Sequence, residues 1–188
     1  MSEPEAAVSH VGRLLVATPL IGDPNFERTV ILLLAHGEVG AFGVVLNRPS
    51  GTEVAEIIPE WAHAAAEPRL MFLGGPVGAN AAIGLGSPAG GREPPSWQPL
   101  VDGIGTIDLN DSAAAVGSPI RLRLFAGSAG WGAGQLEAEL AEGAWWLADV
   151  TADDVLSAEP LDLWPTVLRR QRGPLAWFAN HPGDPMVN

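Results

Sequence analysis

Arg121-Leu122-Arg123-Leu124-Phe125 runs into Gly127-Ser128-Ala129-Gly130-Trp131-Gly132-Ala133-Gly134, which opens into Gln135-Leu136-Glu137-Ala138-Glu139-Leu140. The first segment alternates arginine with apolar residues, as a strand with two unlike faces does. The third carries helix formers and ends before Gly143, a helix stop, after which Trp145-Trp146-Leu147 returns to strand character. Between them the glycine-rich stretch reads as a loop around Trp131, where backbone approaches a neighbour closely and a large indole packs.

Outward from this stretch the chain shows short apolar segments bounded by turn residues. Leu14–Ala17, Thr29–Leu34, Phe42–Asn47, Arg69–Leu73 and Ile104–Leu109 read as strands, and the second and third form a hairpin across Gly37–Gly40. Ala81-Ala82-Ile83 is expected beside Arg69–Leu73, and Gly86–Pro99 as a mobile excursion. Val54, Ile57, Ile58 and Trp61 follow helical spacing that Pro59 cuts short. Thr151 and Asp154 have the spacing of a capping box, Asp162 precedes a last helix from Leu163 to about Gln171, and Gly173–Asn188 is expected to be irregular. Residues 1–11 read as a flexible leader and 12–188 as one domain. Hairpin spacing with short helices, and no regular alternation of strand with long helix, predicts an α+β fold with mainly antiparallel pairing.

The chain has 188 residues, enough to bury roughly 70% of its unfolded surface around one core. Its net charge of −12 works against non-specific binding to nucleic acid or anionic membrane. There is no lysine, and only Arg169, Arg170 and Arg172 cluster, as cations suited to the end of a helix. With no cysteine, thiolate catalysis, disulfides and cysteine-held metals are excluded. The acidic start lacks the form of a secretory signal and the apolar runs are too short to span a bilayer, so a cytoplasmic protein without membrane attachment is expected.

Few motifs carry chemistry. The glycine stretch has no following Gly-Lys-Ser/Thr and no dinucleotide fingerprint, and Glu137 and Glu139 would compete with an anion there. Ala126-Gly127-Ser128-Ala129-Gly130 approximates a nucleophile elbow, with Asp149, Asp153 or Asp162 and then His181 in hydrolase order, but its first position is alanine and the helix starts late. His10, His36, His63 and His181 lie too far apart in sequence for a ligand motif, so neither metal nor cofactor is expected. Asn47-Arg48-Pro49 is the remaining polar corner. Its asparagine can cap a turn, and its arginine can offer a planar fork to Asp23 or Glu27.

Gly12–Ala17, Asp23–Val30, Gly40–Pro49, Gly74-Gly75-Pro76-Val77, and Gly127–Trp131 with Gly134–Glu137 and Gly143-Ala144-Trp145 together resemble the YqgE/AlgH family over nearly the whole chain. The ending, Leu163-Trp164 through Gln171 and Asp184-Pro185, is similar to its actinobacterial branch. The resemblance implies a single α+β domain of coiled, bifurcated, mainly antiparallel sheets, a cytosolic setting, a regulatory role and no established catalytic residue. Ser128, where the family usually has an aromatic residue, departs from the pattern.

The expectation is therefore a non-enzymatic regulatory or interaction domain that meets a protein or small anionic ligand. Its surface would comprise Asp23, Arg28, Asn47, Arg48, Pro49, Gly74, Gly75, Pro76, Gly127, Ser128, Gly130, Trp131, Gln135 and Glu137. Two alternatives are a serine hydrolase using Ser128 and a DNA-binding regulator using Arg169, Arg170 and Arg172.

Overall fold

Short β-branched and leucine-rich segments that are apolar on both faces build the centre of the molecule. The computed structural model describes residues 8–116 and 120–180. Its strands are β1 (Arg13–Ala17), β2 (Val30–Gly37), β3 (Gly40–Val45), β4 (Pro49–Glu53), β5 (Leu70–Leu73), β6 (Val77–Pro88), β7 (Gln98–Val101), β8 (Ile104–Ile107), β9 (Ile120–Gly132) and β10 (Trp145–Asp149). The helices are α1 (Val54–Ile57), α2 (Ala113–Val116), α3 (Gln135–Ala141), α4 (Ala152–Val155) and α5 (Leu163–Arg170). The sheet runs β10-β1-β2-β3-β9-β6-β8-β7, with β4 and β5 branching from it at β9. Every pairing in it is antiparallel except β5 with β9. The result is the expected α+β domain with a coiled, bifurcated sheet.

The two-residue period of a strand sorts β1, β2 and β3 onto two cores. Leu14, Val16, Val30, Leu32 and Val44 join one, closed by Leu163, Trp164, Val167 and Leu168 of α5. Leu15, Ala17, Ile31, Leu33 and Val45 join the other, closed by Leu136 of α3 with Trp131 and Trp145. A third cluster gathers Leu122 and Leu124 of β9 beneath Val54 and Trp61.

The bifurcation lies in the stretch read above as a loop. Gly127–Gly132 is not a loop but the second half of β9, whose outer edge pairs with β3 from Ala129 to Gly132 and with β5 at Phe125 and Ala126. The switch falls at Gly127, whose φ of 73° turns the strand. Gly74 threads the fork, accepting from the Val45 amide and donating to Ala126. A strand this rich in small residues has the composition of a turn, while its neighbours need those small residues in order to cross it at close range.

Several other expectations also change. Ala81-Ala82-Ile83 pairs with β9 and not beside β5, because β5 takes the opposite edge of β9. The excursion after Gly86 is pinned by buried Trp97, whose indole N–H donates to the Gly86 carbonyl at 3.0 Å. Asp162 makes no side-chain cap to α5, whereas Thr151 and Asp154 do form the capping box of α4. Of the tail, 173–180 forms a 3-10 turn and 181–188 lie outside the described residues. Of the leader, 1–7 lie outside them, while Ser9 and His10 hydrogen-bond to His36. Among the described residues, no helix is long and apolar enough to cross a membrane.

Candidate functional site

β9 ends at Gly132, Gly134 turns with φ 74°, and α3 folds back so that Gln135 and Glu139, four residues apart, share one face. Gly143, with φ 77°, then turns the chain into β10 and sets Trp145 beside Trp131. The carboxylate of Glu139 collects all three side chains. Its Oε2 accepts from the Nε1–H of both Trp131 and Trp145, each at 2.8 Å, and its Oε1 accepts from Gln135 Nε2 at 2.9 Å. The two indoles meet edge to face at 6.0 Å, and Phe26 meets Trp145 the same way at 5.8 Å. Together with the loop of Ile21, Gly22 and Asp23, these groups wall an open cleft of about 290 Å³.

Four of the expected surface residues, Asp23, Gly130, Trp131 and Gln135, come together here. Phe26, Glu139 and Trp145 belong to the same cleft and were missed as site residues. Glu139 figures in the sequence only as a carboxylate that would compete with an anion, although its position four residues after Gln135 and between two tryptophans is the available signal.

The remaining expected residues lie at separate places outside this cleft. Asn47 reaches across to another segment rather than capping its own turn: Oδ1 accepts from the Val30 amide and Nδ2 donates to the Arg28 carbonyl, both at 2.9 Å, which ties the corner to the start of β2. Arg48 reaches the predicted loop but not its carboxylates, donating to the backbone carbonyls of Pro24 at 3.0 Å and Glu27 at 3.2 Å. It thereby steadies, from outside the cleft, the loop that bears Asp23 and Phe26. Arg28, at φ 54°, lays its guanidinium 4.3 Å from the Trp164 ring centroid. Pro49 pairs with Phe72 at the start of β4. Gly74, Gly75 and Pro76 pass over Gly127 and Ser128 so closely that a Cβ on either glycine would collide with their backbone.

Ser128 is 7% exposed in mid-strand, opposite Val77, with its hydroxyl directed to the Val77 carbonyl at 3.4 Å. That is not the strand-to-helix elbow of a hydrolase nucleophile. His181, its expected partner, lies outside the described residues. Arg170, from the expected basic cluster, is bound to Asp154 and so leaves that cluster. Among the described residues no group of three histidine, aspartate or glutamate side chains could hold a metal.

Glu137 points away from the cleft, toward β2, and pairs with His36 Nε2 at 2.8 Å. The His10 amide donates to His36 Nδ1 at 3.0 Å, and the hydrogen-bond network thus assigns the ring proton to Nε2. The two imidazoles stack at 5.2 Å. Burial, then His36, then Arg13 hold His10 below its ordinary value of 6.5, with Glu137 opposing them. A bond from its own backbone, then His36, holds the Glu137 carboxyl below the usual range.

Both shifts have the same sign in linkage. A proton binds more weakly to docked than to undocked His10, so docking of Ser9-His10 is complete above pH 6.5 and weakens as pH falls below it. The Glu137 contribution is present above its unfolded value and is lost at lower pH still. Hydrogen exchange at the His10 amide is expected to show protection falling between about pH 7 and pH 5, beyond the intrinsic dependence of exchange on pH.

The chain and its fold have close counterparts. A UPF0301 protein of Streptomyces coelicolor is 50% identical, with 96% of each chain covered, and one of Thermobifida fusca is 45% identical at the same coverage. A crystal structure of a Corynebacterium diphtheriae protein superposes with TM-score 0.86 at 32% identity, covering 93% of this chain and 94% of that one. The solution structure of the AlgH protein of Pseudomonas aeruginosa superposes with TM-score 0.66 at 28% identity over 98% of both chains. Residues 14–176 match the AlgH-like family along nearly the whole described fold, and the chain belongs to that family.

Proposed function

We propose that this protein acts by binding, as a regulatory or interaction domain whose recognition site is the cleft between the Ile21–Phe26 loop and α3. One observation carries the reading. Two indole N–H groups converge on a single oxygen of Glu139, which fixes the aromatic walls of a cleft that remains open to solvent. Side chains locked this way lose little further freedom when a ligand arrives, the condition for tight binding in a small site. A cleft of about 290 Å³ sits at the low end of ligand pockets and admits one head group rather than a nucleotide.

The test uses the immobilised chain and a Trp131→Leu variant, each exposed to the small-molecule fraction of an actinobacterial lysate and read by mass spectrometry. The native chain is expected to retain a compound and release it unaltered, with retention at least tenfold lower in the variant. Release of a chemically changed product, or reaction of Ser128 with a serine-directed phosphonate, would replace binding with catalysis.

A further inference from the structure

The chemistry of the cleft also specifies the charge of its occupant. Trp131 and Trp145 direct their only polar hydrogens at Glu139, and Gln135 gives one of its own to the same carboxylate. These three donors are neutral, so they solvate the carboxylate without neutralising it. Among the described residues no arginine or histidine lines the cleft, and Asp23 adds a second carboxylate at its exposed rim. Arg48, which grips the same loop, spends its Nη2 on the backbone carbonyls of Pro24 and Glu27. A ligand entering the cleft therefore meets aromatic surface and carboxylate oxygen, with its nearest strong donors already engaged.

An anion, expected from the sequence, would find repulsion and no cation to offset it. A positive head group would find the reverse: charge complementarity to Glu139 and Asp23 together with the attraction of aromatic rings for cations, which strengthens where water is excluded.

We infer that the cleft binds an organic cation, an ammonium or guanidinium head group on a short stem. This rests on the binding reading above and adds the class of ligand. Such a head group occurs on free amines and on the basic side chains of proteins, and both share the chemistry that the cleft selects.

The experiment follows the indole N–H resonances of Trp131 and Trp145, assigned with Trp131→Phe and Trp145→Phe, by NMR. The full chain is titrated with choline, with its uncharged isostere 3,3-dimethylbutanol, with N-acetylarginine amide, with N-acetylcitrulline amide and with phosphate. The two cations are expected to shift both resonances saturably, and their uncharged counterparts to bind at least tenfold more weakly. Phosphate is expected to leave both unmoved. Glu139→Gln is expected to cost at least tenfold in cation affinity. Should that variant fail to fold, Asp23→Asn on the exposed rim is expected to cost two- to threefold with an otherwise native spectrum.

A short peptide with one internal arginine identifies the source. Binding tighter than N-acetylarginine amide marks a protein partner, and weaker binding marks a free amine. Equal affinity for the charged and uncharged isosteres would overturn the cation assignment and leave the binding reading in place. Binding of phosphate alone would do the same. Indole resonances unmoved by every compound would overturn the cation assignment, while the lysate experiment decides the binding reading separately.

Discussion

Gly75→Ala is expected to abolish the native fold. A Cβ at this position would sit 2.2 Å from both the carbonyl carbon and oxygen of Ser128, against rigid strand backbone that has no rotamer to adjust. The residue also holds φ 149°, a conformation that L side chains rarely adopt. Backbone strain and overpacking each cost about 1–3 kcal/mol, so the sum reaches a large part of the roughly 5–15 kcal/mol that holds a domain together. Gly51→Ala is the matched control: a Cβ there meets nothing within 4 Å, and its φ is ordinary. Guanidinium unfolding followed by circular dichroism should leave Gly51→Ala within about 0.5 kcal/mol of the native chain and show little or no cooperative transition for Gly75→Ala. Equal midpoints for the two would show that β5, β6 and β9 do not cross as tightly as described.

Asp154→Ala is expected to cost about 2–3 kcal/mol, through the loss of charge-assisted hydrogen bonds and of a helix cap. Asp154 is 3% exposed. It receives Arg170 through two bonds, Nη1 to Oδ1 at 2.8 Å and Nη2 to Oδ2 at 2.7 Å, and closes the capping box by accepting from the Thr151 amide at 2.8 Å. Arg170 Nη2 also donates to the Asp149 carbonyl at 2.9 Å, which ties the end of β10 to α5. The hydrogen bond to Asp154 holds the guanidinium above its ordinary value. One aspartate thus starts a helix and fastens another to the sheet. Losing it leaves a guanidinium that is 35% exposed with only the Asp149 carbonyl as partner, and Asp154→Ala combined with Arg170→Met is expected to recover part of the loss. Urea midpoints of the single and double variants give the coupling directly.

What could be read from the sequence divides by distance along the chain. The capping box of Thr151 and Asp154, the stop at Gly143 and the hairpin of β2 and β3 were legible, because each partner lies nearby or the residue type has few other uses, whereas Asn47 holds Arg28 and Val30, outside the turn read for it. The second half of β9 was not. Glycines that admit a crossing neighbour and glycines that form a loop have the same composition, and only the position of β3, β5 and Gly74 distinguishes them.

The cleft was half legible for a similar reason. Trp131 and Gln135 stood out locally, but Glu139 acquires its role from Trp145, which reaches it only after Gly143 reverses the chain. Arg48 was placed near the correct loop and given the wrong acceptors, since side-chain carboxylates are visible in a sequence and the direction of a backbone carbonyl is not.

The place of β1 in the sheet sets the order in which the molecule can be completed during synthesis. β1 lies between β2 and β10, with Leu14 against Leu32 on one side and Ala148 on the other. The first flank can pair soon after it leaves the ribosome. The second stays unpaired until nearly the whole chain has been translated, so the nascent protein presents an open strand edge and part of an apolar interior for most of that time.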